Sequence, residues 1–102
     1  ARGVDCQVVE RVREVWAWLG ASFTHLPLPS VGPRFHGGAD LTWRIGGWVV
    51  EVEFFRGDEE AESGWWIYVP ELGASLAGSL DERARLRAGF AAFLSQTGTV
   101  VR

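Results

Sequence analysis

Apolar and polar residues alternate without a break from Ala39 to Ile45. Ala39, Leu41, Trp43 and Ile45 are apolar, with Asp40, Thr42 and Arg44 between them. A period of two marks a strand with one buried face, because successive side chains point to opposite sides. Gly46-Gly47 then interrupts the pattern before Trp48-Val49-Val50-Glu51-Val52-Glu53-Phe54-Phe55. Glycine accepts the positive φ angles that a two-residue hairpin turn requires. A turn there opposes Ile45 to Trp48, Trp43 to Val50, Leu41 to Val52 and Ala39 to Phe54, all on one face. A slip of one residue would turn half of them into water. Strands are therefore expected over residues 39–45 and 48–55. A third is expected over residues 65–69, where Trp65, Ile67 and Val69 alternate with Trp66 and Tyr68.

Helical spacing flanks this centre. Val8, Val12, Val15, Trp16 and Leu19 form one stripe over residues 6–19. Asp5 is placed to cap that helix and Gly20 to stop it. Glu10 and Glu14 fall on the solvent side, and Trp18 lies off the stripe, covering the rim of the sheet. Pro27-Leu28-Pro29 reads as extended chain. Residues 30–35 read as a further strand, confined to a sheet edge because Pro33 has no N–H to donate. Arg56 to Gly64 is an acidic loop with Asp58, Glu59, Glu60 and Glu62. If Phe54 opposes Trp65 across it, Glu53 opposes Trp66 and Glu51 opposes Tyr68.

Pro70 ends the third strand, and the small residues from Glu71 to Gly78 read as a loop. Ser79-Leu80-Asp81-Glu82 is a capping box that opens a second helix over residues 80–97. Leu86, Phe90, Phe93 and Leu94 form its buried stripe, and Gly98 its stop. Arg83, Arg85 and Arg87 oppose the dipole of its first turns and are expected to be solvated. Gly89 in mid-helix points to close packing. The expected fold class is α+β: an antiparallel three- to four-stranded β-meander with an N-terminal and a C-terminal helix packed on one face, in a single domain of residues 1–102.

The run Pro29-Ser30-Val31-Gly32-Pro33, then Gly37-Gly38, Leu41-x-Trp43 and Val50-x-Val52-Glu53, resembles a group of small uncharacterised bacterial proteins. These share a Pro-x-Val-x-Pro…Gly-Gly-x-x-Leu-x-Trp pattern ahead of a second alternating strand. The likeness covers the middle third of the chain. It implies the meander and a bacterial or phage origin, and it supplies no catalytic residue.

Composition narrows the chemistry. A chain of 102 residues that is 47% hydrophobic has ample material for one core. No apolar run reaches the roughly 18 residues of a membrane span. A net charge of −3 argues against direct nucleic-acid binding and permits a basic protein partner. All 10 basic residues are Arg, which reads as coding bias. Ala1 in place of Met, with no signal peptide behind it, reads as a start that was processed or cut. The single cysteine, Cys6, makes no internal disulfide; it reads as a small buried hydrophobe in a reducing, cytoplasmic setting. His25 and His36 have no acid or serine at a recognisable spacing and read as structural or solvated. Gly37-Gly38 and Gly46-Gly47 precede strands, so neither offers a helix N-terminus to phosphate.

The hairpin leaves a second face bearing Asp40, Thr42, Arg44, Val49, Glu51, Glu53, Phe55, Trp66 and Tyr68. Aromatic rings beside carboxylates suit a cationic surface. Six Trp residues exceed what a core of this size needs, and Trp is enriched at binding hot spots. The expected function is a non-catalytic acidic protein-binding domain, such as an immunity protein, antitoxin or phage-encoded inhibitor. Its expected partner contacts are Asp40, Arg44, Glu51, Glu53, Phe55, Asp58, Glu59, Glu60, Trp66 and Tyr68, with no cofactor, no metal and no membrane. Two alternatives stand beside it. Asp40 with Glu51-x-Glu53 on adjoining strands resembles the core of the PD-(D/E)xK nucleases, which implies an Asp and a Glu holding Mg²⁺ and a Lys assisting the water. The hairpin register sets Asp40 opposite Glu53 with Glu51 diagonal, so three carboxylates are expected to converge where a cation could bind. That family has Lys where this chain has Glu53, and the chain has no Lys. In size, acidity and order of elements the chain is also similar to type III secretion chaperones, which implies a homodimer or assembly subunit.

Overall fold

The computed structural model describes residues 6–23, 26–33, 37–55 and 63–95. Its elements are helix α1 (Cys6–Ser22), strands β1 (Ser30–Pro33), β2 (Ala39–Ile45), β3 (Trp48–Phe54), β4 (Gly64–Val69) and β5 (Ala74–Ser79), and helix α2 (Arg83–Leu94). The strands lie side by side in chain order as one antiparallel sheet. The fold is α+β with a meander, as the alternation predicts, and it has five strands where three or four were expected.

Gly46 and Gly47 turn the β2–β3 hairpin with φ of 58° and 86°. The register is the expected one, from Ala39 opposite Phe54 to Ile45 opposite Trp48. Ala39, Leu41, Trp43, Val50, Val52, Phe54, Trp65, Ile67 and Val69 are all buried on the face that both helices cover. Val8, Val15 and Leu19 enter this core from α1, with Val12 and Trp16 at its margin. Leu86, Phe90, Phe93 and Leu94 enter from α2. Phe90 is the centre of the aromatic packing. Its ring meets Trp43 edge-on at 4.9 Å between centroids and lies 5.4 Å from Phe23 and 5.7 Å from Phe93. Edge-on contact sets the positive rim of one ring against the negative face of the other.

Several boundaries differ from expectation. β5 forms where a loop was read. Its residues Ala74-Ser75-Leu76-Ala77-Gly78-Ser79 have little strand propensity and its first four are exposed. Backbone pairing to β4 holds it, with a tight turn in which Gly73, at φ 60°, donates its N–H to Val69 O at 3.0 Å. α1 runs past Gly20 to Ser22, and Phe23 N–H still bonds Leu19 O at 2.9 Å. Burial of Phe23 beside Phe90 outweighs the stop signal. Cys6 is exposed, not buried. α2 starts at Arg83 because Ser79 is spent on β5 and Leu80 turns into the core. Half of the capping box survives: Ser79 N–H donates to Glu82 Oε1 at 3.2 Å. α2 ends at Leu94, short of residue 97.

β1 is an edge strand, ending at Pro33 within the described residues. The β3–β4 register is shifted by two residues, with Val52, not Phe54, opposite Trp65. Phe55 N–H donates to Ser63 Oγ at 2.8 Å, so the end of β3 meets Ser63 and the strands slide accordingly. A shift of two leaves every side chain on its expected face. Asp5, His25, His36, Gly98 and the loop with Asp58, Glu59, Glu60 and Glu62 lie outside the described residues.

A Cβ at Gly89 would sit 2.6 Å from Ile67 Cδ1. Ile67 is fully buried, so its Cδ1 has little room to swing aside. Gly89→Ala is therefore expected to lower stability by about 1 kcal/mol, net of the roughly 1 kcal/mol by which the change favours helix. In an Ile67→Val background, which removes Cδ1, the same change is expected to be neutral or stabilising. Urea denaturation of the four proteins checks this; a stabilised Gly89→Ala single variant would contradict it.

Candidate functional site

The face opposite the helices is built in three rows across the strands. One row runs Gly32, Asp40, Glu53, Gly64, Ser79; the next runs Ser30, Thr42, Glu51, Trp66, Ala77; the third runs Arg44, Val49, Tyr68, Ser75. Trp66 and Tyr68 are the large rings of these rows. The β5 residues opposite them are Ala77 and Ser75, so no β5 side chain of comparable size faces either ring. Both rings are half-buried, as are Asp40, Thr42, Val49, Glu51 and Glu53, while Arg44 at the hairpin end is exposed.

The register joins Trp66 to Glu51, not to Glu53. Trp66 Nε1 donates to Glu51 Oε1 at 3.3 Å. The bond sets the Glu51 carboxylate at the N–H edge of the indole. Tyr68 stands opposite Val49 instead of Glu51. Phe55 follows β3, half-buried, with its N–H tied to Ser63. The structure thus brings Asp40, Arg44, Glu51, Glu53, Trp66 and Tyr68 onto one face.

The carboxylates do not converge into a metal trio. The Asp40 carboxylate lies over Gly32 of β1, where an added Cβ would meet Asp40 Oδ1 at 3.1 Å. Glu51 points the other way, to Trp66 on β4. Among the described residues no group of three or more His, Cys, Asp or Glu side chains is arranged to hold a metal ion. No helix among them is long and apolar enough to cross a membrane.

No family model, curated protein or solved structure matches the chain. The face is therefore judged on its own geometry.

The arginines at the start of α2 are not simply solvated. Arg83 pairs with Glu14 at 3.0 Å and stands 5.3 Å over the Trp18 ring. Arg85 pairs with Glu82 and lies 5.5 Å over Trp65, and Arg87 lies 5.8 Å over Phe23. Stacking on rings from α1, β4 and the segment after α1 offsets their poor placement against the helix dipole. Heptad-style spacing within α2 shows nothing of this, because every ring belongs to another element.

The Arg85 guanidinium, bonded to Glu82, and the Ser79 N–H together hold the Glu82 carboxyl below its ordinary value of 4.5. A depressed folded value contributes stability that is present above 4.5 and lost as pH falls through the lower folded value. Glu82→Gln is expected to remove that part of the acid-side loss. Thermal unfolding followed from about pH 5 down to about pH 3 should show a smaller fall in Tm for the variant. An equal fall in both proteins would contradict the assignment.

Proposed function

We propose that the chain is a non-catalytic acidic protein-binding domain that holds a basic partner surface on the uncovered sheet face. The observation that carries this reading is the Glu51–Trp66 pair, a carboxylate bonded to a half-buried indole in mid-sheet. A guanidinium can lie flat on the indole while its edge meets carboxylates. The fold already uses that contact internally, at Arg83 over Trp18 and Arg85 over Trp65. Glu53 and Asp40 in the adjacent row add negative charge. Tyr68 and Val49 supply apolar contact beyond, and Arg44 bounds the face at the hairpin end. Asp58, Glu59 and Glu60 follow β3 in sequence and add to the charge that steers a cationic partner.

The role this chemistry fits is that of an immunity protein, antitoxin or phage-encoded inhibitor, acting in a bacterial or phage-infected cytoplasm. A small acidic domain that presents aromatic rings between carboxylates acts by covering a basic surface, not by turning over a substrate. A lone cysteine supports a reducing compartment. The Pro29 to Trp43 pattern supports the bacterial setting.

An oligo-arginine peptide tests the face directly. Titration is expected to quench Trp fluorescence and to weaken as salt rises. Trp66→Ala and Glu51→Gln are each expected to weaken binding on the order of tenfold, which corresponds to about 1.4 kcal/mol. Oligo-lysine, which lacks the planar stacking group, is expected to bind less tightly. Equal affinity in wild type and a Trp66→Ala, Glu53→Ala double variant would reject this face.

A further inference from the structure

Among the described residues, the outer edge of β5 is only half sealed. In an antiparallel ladder, backbone groups face the partner strand at every second residue and face away between. Leu80 N–H donates to Ser63 O at 3.3 Å, which sets the phase. Leu80, Gly78, Leu76 and Ala74 turn their backbone groups to β4, and Ser75, Ala77 and Ser79 turn theirs outward. The start of α2 folds back over part of that outward row. Ser79 N–H donates to Glu82 Oε1 at 3.2 Å, and Ser79 O accepts from Trp65 Nε1 at 3.0 Å and from Glu82 N–H at 3.1 Å. Ala77 O accepts from Arg85 Nη2 at 3.2 Å, and Glu82 holds Arg85 in place. Ser75 and the Ala77 N–H lie beyond this clamp.

An open edge is ordinarily protected by charge, proline or a bulge. β1, at the other edge, has Pro33. Residues 74–79 carry no charge and no proline. Leu76, on the helix side of β5, is 46% exposed, and Leu72 in the turn before it is 67% exposed.

We infer that β5 pairs antiparallel with β5 of a second copy of this chain, with Leu76 opposite Leu76. The register follows from the outward groups. Ser75 and Ala77 exchange bonds across the junction only if Ser75 of one copy opposes Ala77 of the other. Two-fold symmetry then sets Leu76 against its mate, in the non-hydrogen-bonded position where cross-strand side chains approach most closely. The other side chains of β5 are Ala, Ser and Gly, so the strand offers little to select a foreign sequence. A second copy returns the same uncharged strand and one matching Leu, so no like charges oppose each other within residues 74–79. The two-fold axis stands perpendicular to the sheet. The helices of both copies then lie on one side, and the two acidic–aromatic faces join into one surface. Arg85 releases Ala77 O as the strands meet, so the Glu82–Arg85 clamp weakens the dimer and its loss strengthens it.

Sedimentation velocity of the full chain over a wide concentration range tests the pairing. Wild type is expected to show a concentration-dependent monomer–dimer equilibrium. Ser75→Pro, which removes an outward donor and leaves the β4 ladder intact, is expected to stay monomeric with an unchanged circular dichroism spectrum. Arg85→Ala is expected to dimerise at a concentration lower by on the order of tenfold. In a Cys6→Ser background, Leu76→Cys is expected to yield a covalent dimer on mild oxidation, and Ala74→Cys is not. A Ser75→Pro variant that dimerises like wild type, or a Leu76→Cys variant that stays monomeric on oxidation, would overturn the inference.

Discussion

The turn at Gly46-Gly47 decides which side of every strand is dry. Both residues sit at positive φ, so their backbone twist matches that of the strands they join. The register that follows sets Trp43 against Val50 and Leu41 against Val52 on one side, and Thr42 against Glu51 on the other. β4 and β5 inherit that division, because antiparallel neighbours keep opposed residues on the same face. Both helices dock on the apolar side. The uncovered side exists because the hairpin separates its residues so cleanly.

Indole N–H groups then fasten segments that the alternation alone leaves loose. A buried Trp needs an acceptor for its one donor. Trp43 gives its proton to Pro27 O at 2.9 Å and anchors the proline run that leads into β1. Trp65 gives its proton to Ser79 O and holds the end of β5, and its ring lies against Gly78, where a Cβ would come within 2.7 Å of Cζ2. Trp66, on the opposite face, gives its proton to a carboxylate side chain instead of a backbone carbonyl. The same chemical group closes the core on one side of the sheet and builds a charged, aromatic surface on the other. That difference in acceptor separates Trp43 and Trp65, in the core, from Trp66 on the uncovered face.

Much of this was legible in the residues, and the exceptions share a cause. The hairpin, both helical stripes and the membership of the uncovered face follow from periodicity, because burial enforces periods of two and 3.6 wherever one side is dry. β5 left no such trace. It buries almost nothing, and its hydrogen bonds to β4 are indifferent to side chains. The pairing of Glu51 with Trp66 differs by two residues from the alternation's reading because strand patterns are blind to shifts of two, and the bond from Phe55 N–H to Ser63 Oγ accompanies the shifted register. The arginine stacks were missed for a third reason of the same kind: Arg83, Arg85 and Arg87 find their rings in other elements. Cys6 read as buried from residue type, yet the first turn of α1 leaves it in solvent.

The binding proposed for the uncovered face requires Trp66 to stand on the wet side beside Glu51. Cross-strand nuclear Overhauser contacts in the isolated chain measure that placement most directly. The account predicts contacts from Trp66 to Glu51 and Ala77, with Trp43 in contact with Phe90 and Trp65 with Gly78. Contacts from Trp66 to the Phe90 cluster, or from Trp66 to Glu53 as its opposed residue, would contradict it.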